Sequence, residues 1–136
     1  MKPNSLEEAR RWLRQGQNDL AIVRMSLREG FFSHACFMSQ QAAEKGLKAL
    51  AFLKGERYVV GHSVRDLLER VAGDYPVLLP FRGQAARLDQ YYVPTRYPDA
   101  LPGGVPFEAY GRDQADEAAS AATAIIEAAA RLIAEA

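Results

Sequence analysis

The chain is poor in the residues that carry most metal and redox chemistry. It has one cysteine, Cys36, and two histidines, His34 and His62, among 136 residues. A lone cysteine cannot close an internal disulfide, which points to a reducing compartment. With Phe37 and Met38 as neighbours it reads as a small core residue. One cysteine and two histidines are too few for a zinc site, so no metal is expected. No glycine-rich phosphate loop of the Walker type appears, no nucleophile elbow is present, and no cofactor is called for. Long apolar runs are also missing. No segment approaches the roughly 20 residues that a membrane span needs, and MKPNSLEEARRWL lacks a signal-peptide core. The expectation is a soluble, cytoplasmic protein without membrane contact.

Net charge is absent too, with 17 basic and 17 acidic residues. That balance argues against a general polyanion binder. The charge is uneven, however: residues 1–65 hold 11 Lys/Arg and 6 Asp/Glu, and residues 66–136 hold 6 and 11. A basic front half and an acidic back half can pair inside one bundle or leave a local basic surface for phosphate. The length suits a single domain, residues 1–136, with a sizeable core.

What the chain does have is helical periodicity. Asn4 or Ser5 can cap a first helix whose apolar positions Ala9, Trp12, Leu13, Gly16, Leu20, Val23 and Leu27 recur at helical spacing up to Gly30. Its other face shows Arg10, Arg11, Arg14, Arg24 and Arg28. A second helix follows at once, from Gly30 to Gly55, so the pair should form an antiparallel hairpin. This second helix is apolar on nearly all sides, the mark of a central, buried element. Its middle nevertheless carries Gln40, Gln41, Glu44, Lys45 and Lys48, read here as one narrow exposed strip. Glu44 and Lys48 are four apart, as are Gln41 and Lys45, the spacing of side-chain pairs on a helix. Solvation and ion pairing alone would account for such a strip.

Tyr58, Val59 and Val60 have strand character but are only three residues without a partner. Ser63 and Asp66 form a capping-box-like pair at the start of a short third helix ending at Gly73. A fourth helix is expected from about Leu78 to Tyr92, with Phe81, Ala85, Leu88 and Tyr92 inward and Arg82 and Arg87 outward. The segment 93–106 has too much proline to be helical and is long enough to be functional. Asp113 can cap a last, alanine-rich helix. The fold class expected is all-α: an up-and-down bundle of four long helices plus a short one.

Two groups of residues could carry chemistry. The first spans the fourth helix and the proline-rich loop: Asp89, Tyr91, Tyr92, Thr95, Arg96, Tyr97 and Asp99. A guanidinium is a fork for phosphate oxygens, and tyrosines can stack on a base or donate hydrogen bonds. Alternatively, Arg96 pairs with Asp99 or a helix C-terminus and simply pins the loop. The second is Arg57 with His62, an Arg-x4-His spacing. Histidine can serve as general acid or base, and arginine can hold phosphate. Those roles suffice for metal-independent cleavage of RNA through its 2′-hydroxyl. Alternatively, His62 packs just before the Ser63 cap, bonded to backbone.

Three stretches, SHACFMSQQAAEKGLKAL, GHSVRDLL and LDQYYVPTRYPDA, resemble the HEPN domain family (higher eukaryotes and prokaryotes nucleotide binding). The resemblance extends over nearly the whole chain. It implies a helical bundle that forms homodimers and sits beside nucleotide chemistry. It also implies a partner, a minimal nucleotidyltransferase, in a toxin–antitoxin arrangement. Many members resembling this one are metal-independent ribonucleases with an Arg-x4–6-His motif opening a late helix. The corresponding segment here, TRYPDA, has the arginine and no histidine a few residues on; Arg57 and His62 fit the spacing but lie earlier. Carried over residue by residue, the family-matching polar positions are Lys45, Lys48, His62, Tyr92, Arg96, Tyr97 and Asp99. Three functions follow: a module binding nucleotide or nucleic-acid phosphate, a ribonuclease toxin using His62 with Arg57 or Arg96, or a purely structural assembly protein.

Overall fold

The computed structural model describes residues 4–136, and among them there are helices and loops but no strand. Helix α1 (Ser5–Glu29) runs 25 residues and buries Ala9, Leu13, Gly16, Leu20 and Val23 along one stripe. It ends at Gly30, whose φ of 82° lies in the left-handed region that glycine enters without a steric penalty. There Phe31 N donates to the Ser26 carbonyl at 2.8 Å, closing the turn into α2 (Phe32–Leu53).

Helix α2 is the hub. It touches each of the other five helices: α1, α3 (Val64–Ala72), α4 (Arg82–Asp89), α5 (Pro106–Ala109) and α6 (Arg112–Ala134). Ala42, Ala43, Leu47, Ala49, Leu50 and Ala51 are fully buried, as an all-round apolar helix requires. Helices α1, α2 and α6 pack closest around Ile126. A β-carbon on Gly16 would come within 2.9 Å of Ile126 Cδ1 and 3.2 Å of the Ala42 carbonyl; one on Gly46 would come within 3.0 Å of Ile126 Cδ1. The small residues are there because the backbones approach.

The all-α bundle expected from the sequence is the fold that forms, with local differences. The fourth helix is shorter than Leu78–Tyr92. Pro80 lacks the N–H an α-turn needs, so Pro76–Phe81 winds as a 3-10 helix and α4 covers only Arg82–Asp89. Tyr92 lies past its end and is half-buried. Segment 55–63 is an irregular loop, and among the described residues no strand pairs with Tyr58–Val60. The last helix is capped at Gly111, whose N–H donates to Gln114 Oε1 at 3.1 Å; Asp113 sits inside the first turn. The Ser63 cap is as expected, its hydroxyl accepting from Asp66 N at 3.0 Å. Among the described residues no helix is long and apolar enough to cross a membrane.

Candidate functional site

The polar strip of α2 is not exposed. Gln40 is fully buried, and Glu44 and Lys48 are 5% and 6% exposed. Loop 55–63 and α1 lie over them, so each polar group has to find a protein partner. Lys48 Nζ reaches Glu44 Oε2 at 3.2 Å. Gln40 Nε2 donates to Glu44 Oε1 at 3.2 Å and to the His62 carbonyl at 2.7 Å. His62 Nδ1 stands 3.2 Å from the same Glu44 Oε1. Lys45 turns the other way, onto Asp19 of α1 at 2.6 Å and Gln41 at 3.4 Å. Both strip lysines are therefore committed to carboxylates.

His62 is where this buried network meets solvent. Its side chain is 57% exposed although its carboxylate partner is buried. The imidazole stacks on Tyr92, with ring centroids 4.6 Å apart and planes 17° from parallel. Arg96 packs on that same ring: its Cζ lies 4.7 Å from the Tyr92 centroid, 4.4 Å from Phe37 and 5.0 Å from Tyr97. Its Nε donates to the Tyr92 carbonyl at 2.8 Å. Among the described residues no carboxylate pairs with Arg96, and Asp99 stands exposed on a separate turn, Pro98–Ala100. The pinning of the loop thus comes from the Tyr92 carbonyl and three aromatic faces. The terminal guanidinium nitrogens stay available.

A chain of contacts runs Lys48–Glu44–His62–Tyr92–Arg96, joining the buried strip to the proline-rich turn. Lys45 and Arg57 stand outside it. Arg57 is exposed and lines a cavity of about 680 Å³ beside Trp12 and Phe52, whereas His62 borders a small hollow of about 160 Å³ with Asp66 and Arg70. Asp89 also leaves the loop constellation. It accepts from Val64 N at 2.5 Å and Ser63 Oγ at 2.6 Å, holding a carboxylate against the N-terminus of α3. Thr95 is buried and its hydroxyl donates to the Tyr91 carbonyl. Tyr91 packs edge-on to Tyr110, and burial raises both phenols above their ordinary range. Cys36 is a core thiol, pushed up to about 12 by burial.

Periodicity alone missed three contributors. Phe37 looked like core and instead floors Arg96. Gln40 and Glu44 looked like surface and instead hold His62. The available signal was the i, i+4, i+8 row Gln40–Glu44–Lys48 on an otherwise apolar helix.

The arrangement defines an α-helical bundle with a histidine–arginine surface cluster anchored on a buried acid. The chain belongs to the HEPN domain family, whose model matches residues 9–132. It is similar to "Putative toxin MJ1304" of Methanocaldococcus jannaschii, 24% identical over 131 residues, 90% of this chain and 86% of that protein. Among solved structures it is similar to TT1696 from Thermus thermophilus, with a TM-score of 0.86 and 40% identity over 91% of this chain and 97% of that one. It is also similar to ST0689, described as an archaeal HEPN homologue, with a TM-score of 0.76 and 34% identity over 98% and 99%.

Proposed function

We propose that this HEPN chain is a toxin-type protein that binds a nucleotide or nucleic-acid phosphate at His62 and Arg96. In this reading it acts as a homodimer in the cytoplasm, beside a minimal nucleotidyltransferase as its antitoxin-type partner. One observation carries the site: an exposed imidazole and a guanidinium that no carboxylate pairs with among the described residues share the Tyr92 ring. An imidazole and a guanidinium carried by one phenol ring can each donate to a phosphate oxygen. The lysines contribute differently from the arginine. Lys48 is paired with Glu44 behind the site, and Lys45 is paired with Asp19 away from it. Tyr97 flanks it on the proline-rich turn, and Asp99 stands apart on the next one. The name of the archaeal relative supports the toxin class. Calorimetric titration with ATP and GTP at millimolar concentration tests the binding; no heat with either removes the proposal.

The contact between Glu44 and His62 favours a second reading, a metal-independent ribonuclease. His62 would move a proton and Arg96 would hold the phosphate. Arg96 suits that role better than Arg57, because Arg96 shares the Tyr92 ring with His62 and Arg57 lines a different cavity. Incubation with RNA in EDTA discriminates: cleavage lost in His62→Ala supports an enzyme, and cleavage retained there removes His62 from it. A purely structural role fits Lys45, Lys48 and the loop-pinning contacts of Arg96, and leaves the terminal guanidinium nitrogens of Arg96 without a use.

A further inference from the structure

We infer that Glu44 is a positioning residue: it fixes the tautomer of His62 and so selects Nε2 as the atom presented to a ligand. The assignment of the tautomer rests on geometry, and its purpose rests on the phosphate site proposed above. A carboxylate has no hydrogen to donate, so the imidazole nitrogen facing Glu44 Oε1 at 3.2 Å must carry the proton. That nitrogen is Nδ1. In the neutral ring Nε2 is then bare, ready to accept a proton; in the charged ring it is a second donor. Nδ1 is committed to Glu44 in both states.

Three further contacts hold this arrangement. Lys48 sits on the other oxygen of Glu44 at 3.2 Å and keeps the carboxylate turned. Gln40 Nε2 grips the His62 carbonyl at 2.7 Å, fixing the backbone from which the ring hangs. Both oxygens that Gln40 Nε2 meets are acceptors, and Gln41 Nε2 donates to Gln40 Oε1 at 2.8 Å, so the amide can point only one way. Tyr92 closes the remaining side by stacking. The other charged groups around the small hollow at His62, Asp66 and Arg70, make no hydrogen bond to the ring. An acid buried behind a solvent-facing imidazole is the geometry by which carboxylates orient histidines toward a reacting or ligating partner.

The tautomer is directly measurable because only two histidines exist. Long-range proton–nitrogen spectra of the intact chain at about pH 8, where most imidazoles are neutral, with His34→Gln for assignment, report both ring nitrogens of His62. The expected result is a protonated Nδ1 and a bare Nε2, the reverse of the tautomer a free histidine side chain favours in water. Glu44→Gln should shift the population toward Nε2–H and weaken ATP binding by about tenfold or more, the usual size of losing an orienting partner. A native His62 already in the Nε2–H form overturns the inference without any variant. So does an unchanged tautomer in Glu44→Gln or in the shorter Glu44→Asp. Millimolar ATP should move the Nε2 signal and leave Nδ1 protonated. If the tautomer is as stated and ATP moves neither nitrogen, the phosphate site fails, and with it the ligand-presenting role of Glu44.

Discussion

The imidazole of His62 lies nearly parallel to the phenol ring of Tyr92, 4.6 Å away, and Arg96 packs on that same phenol. Tyr92 is thus the common support of the two groups assigned to phosphate. Tyr92→Ala should reduce ATP affinity by about tenfold, because both groups lose the ring that orients them. Tyr92→Phe keeps the ring and should bind like the native chain. Calorimetry on both variants checks this; equal loss in both would mean the hydroxyl matters and the face does not.

The Glu44–Lys48 pair is buried, and breaking it from one side leaves an uncompensated charge. Glu44→Ala should destabilise the fold by about 3–5 kcal/mol, and the double replacement Glu44→Leu with Lys48→Met should recover most of that. Urea unfolding of the three proteins measures it. A double variant no more stable than Glu44→Ala would show that the unpaired Lys48 charge is not the source of the loss.

Gly16 and Gly46 both face Ile126, yet they should respond differently. An added methyl at Gly46 meets mainly the mobile Cδ1 of Ile126, and the gain in helix propensity offsets the crowding. At Gly16 the methyl also meets the Ala42 carbonyl, which cannot move away. Gly46→Ala should therefore change stability by less than about 1 kcal/mol, and Gly16→Ala should cost ~1–3 kcal/mol. Adding Ile126→Val should relieve Gly46→Ala fully and Gly16→Ala only in part.

Burial raises the Cys36 thiol to about 12 from an ordinary value of 9.0, so the folded chain keeps it protonated where the unfolded chain releases it. That contribution is fully present below about pH 9 and is lost as pH climbs toward 12. The phenols of Tyr75, Tyr91 and Tyr110 are raised as well, in the same sense. Stability should thus fall on the alkaline side. Cys36→Ala should flatten the fall by up to one proton's worth, roughly 1.4 kcal/mol per pH unit. Denaturant midpoints between pH 8 and 11 test this, and an unchanged slope contradicts it.

Much of the bundle was legible in the residues because burial imposes a period. Ala9, Leu13, Leu20 and Val23 on α1, and the Ala/Ile stripe of α6, mark their faces unambiguously. The late start of the fourth helix was also written, in Pro80, but the neighbouring apolar periodicity hid it. The site was half legible. Arg96, Tyr92 and Tyr97 stood out as an arginine among phenols, and His62 as one of two histidines. What could not be read was depth. Glu44 and Lys48 look like any exposed i, i+4 pair until loop 55–63 and α1 are laid over them. The pairing of Lys45 with Asp19 is likewise a contact 26 positions apart, which no local spacing reveals.

The phosphate assignment stands on His62 and Arg96 together, so the decisive measurement compares three proteins. Proton–nitrogen spectra of the native chain, His62→Ala and Arg96→Ala are recorded during titration with ATP. The native chain should show saturable shifts centred on His62, Tyr92 and Arg96, weakened at least tenfold in each variant. Shifts that leave those residues unmoved and centre instead on Trp12 and Arg57, or no shifts at millimolar ATP, would contradict it.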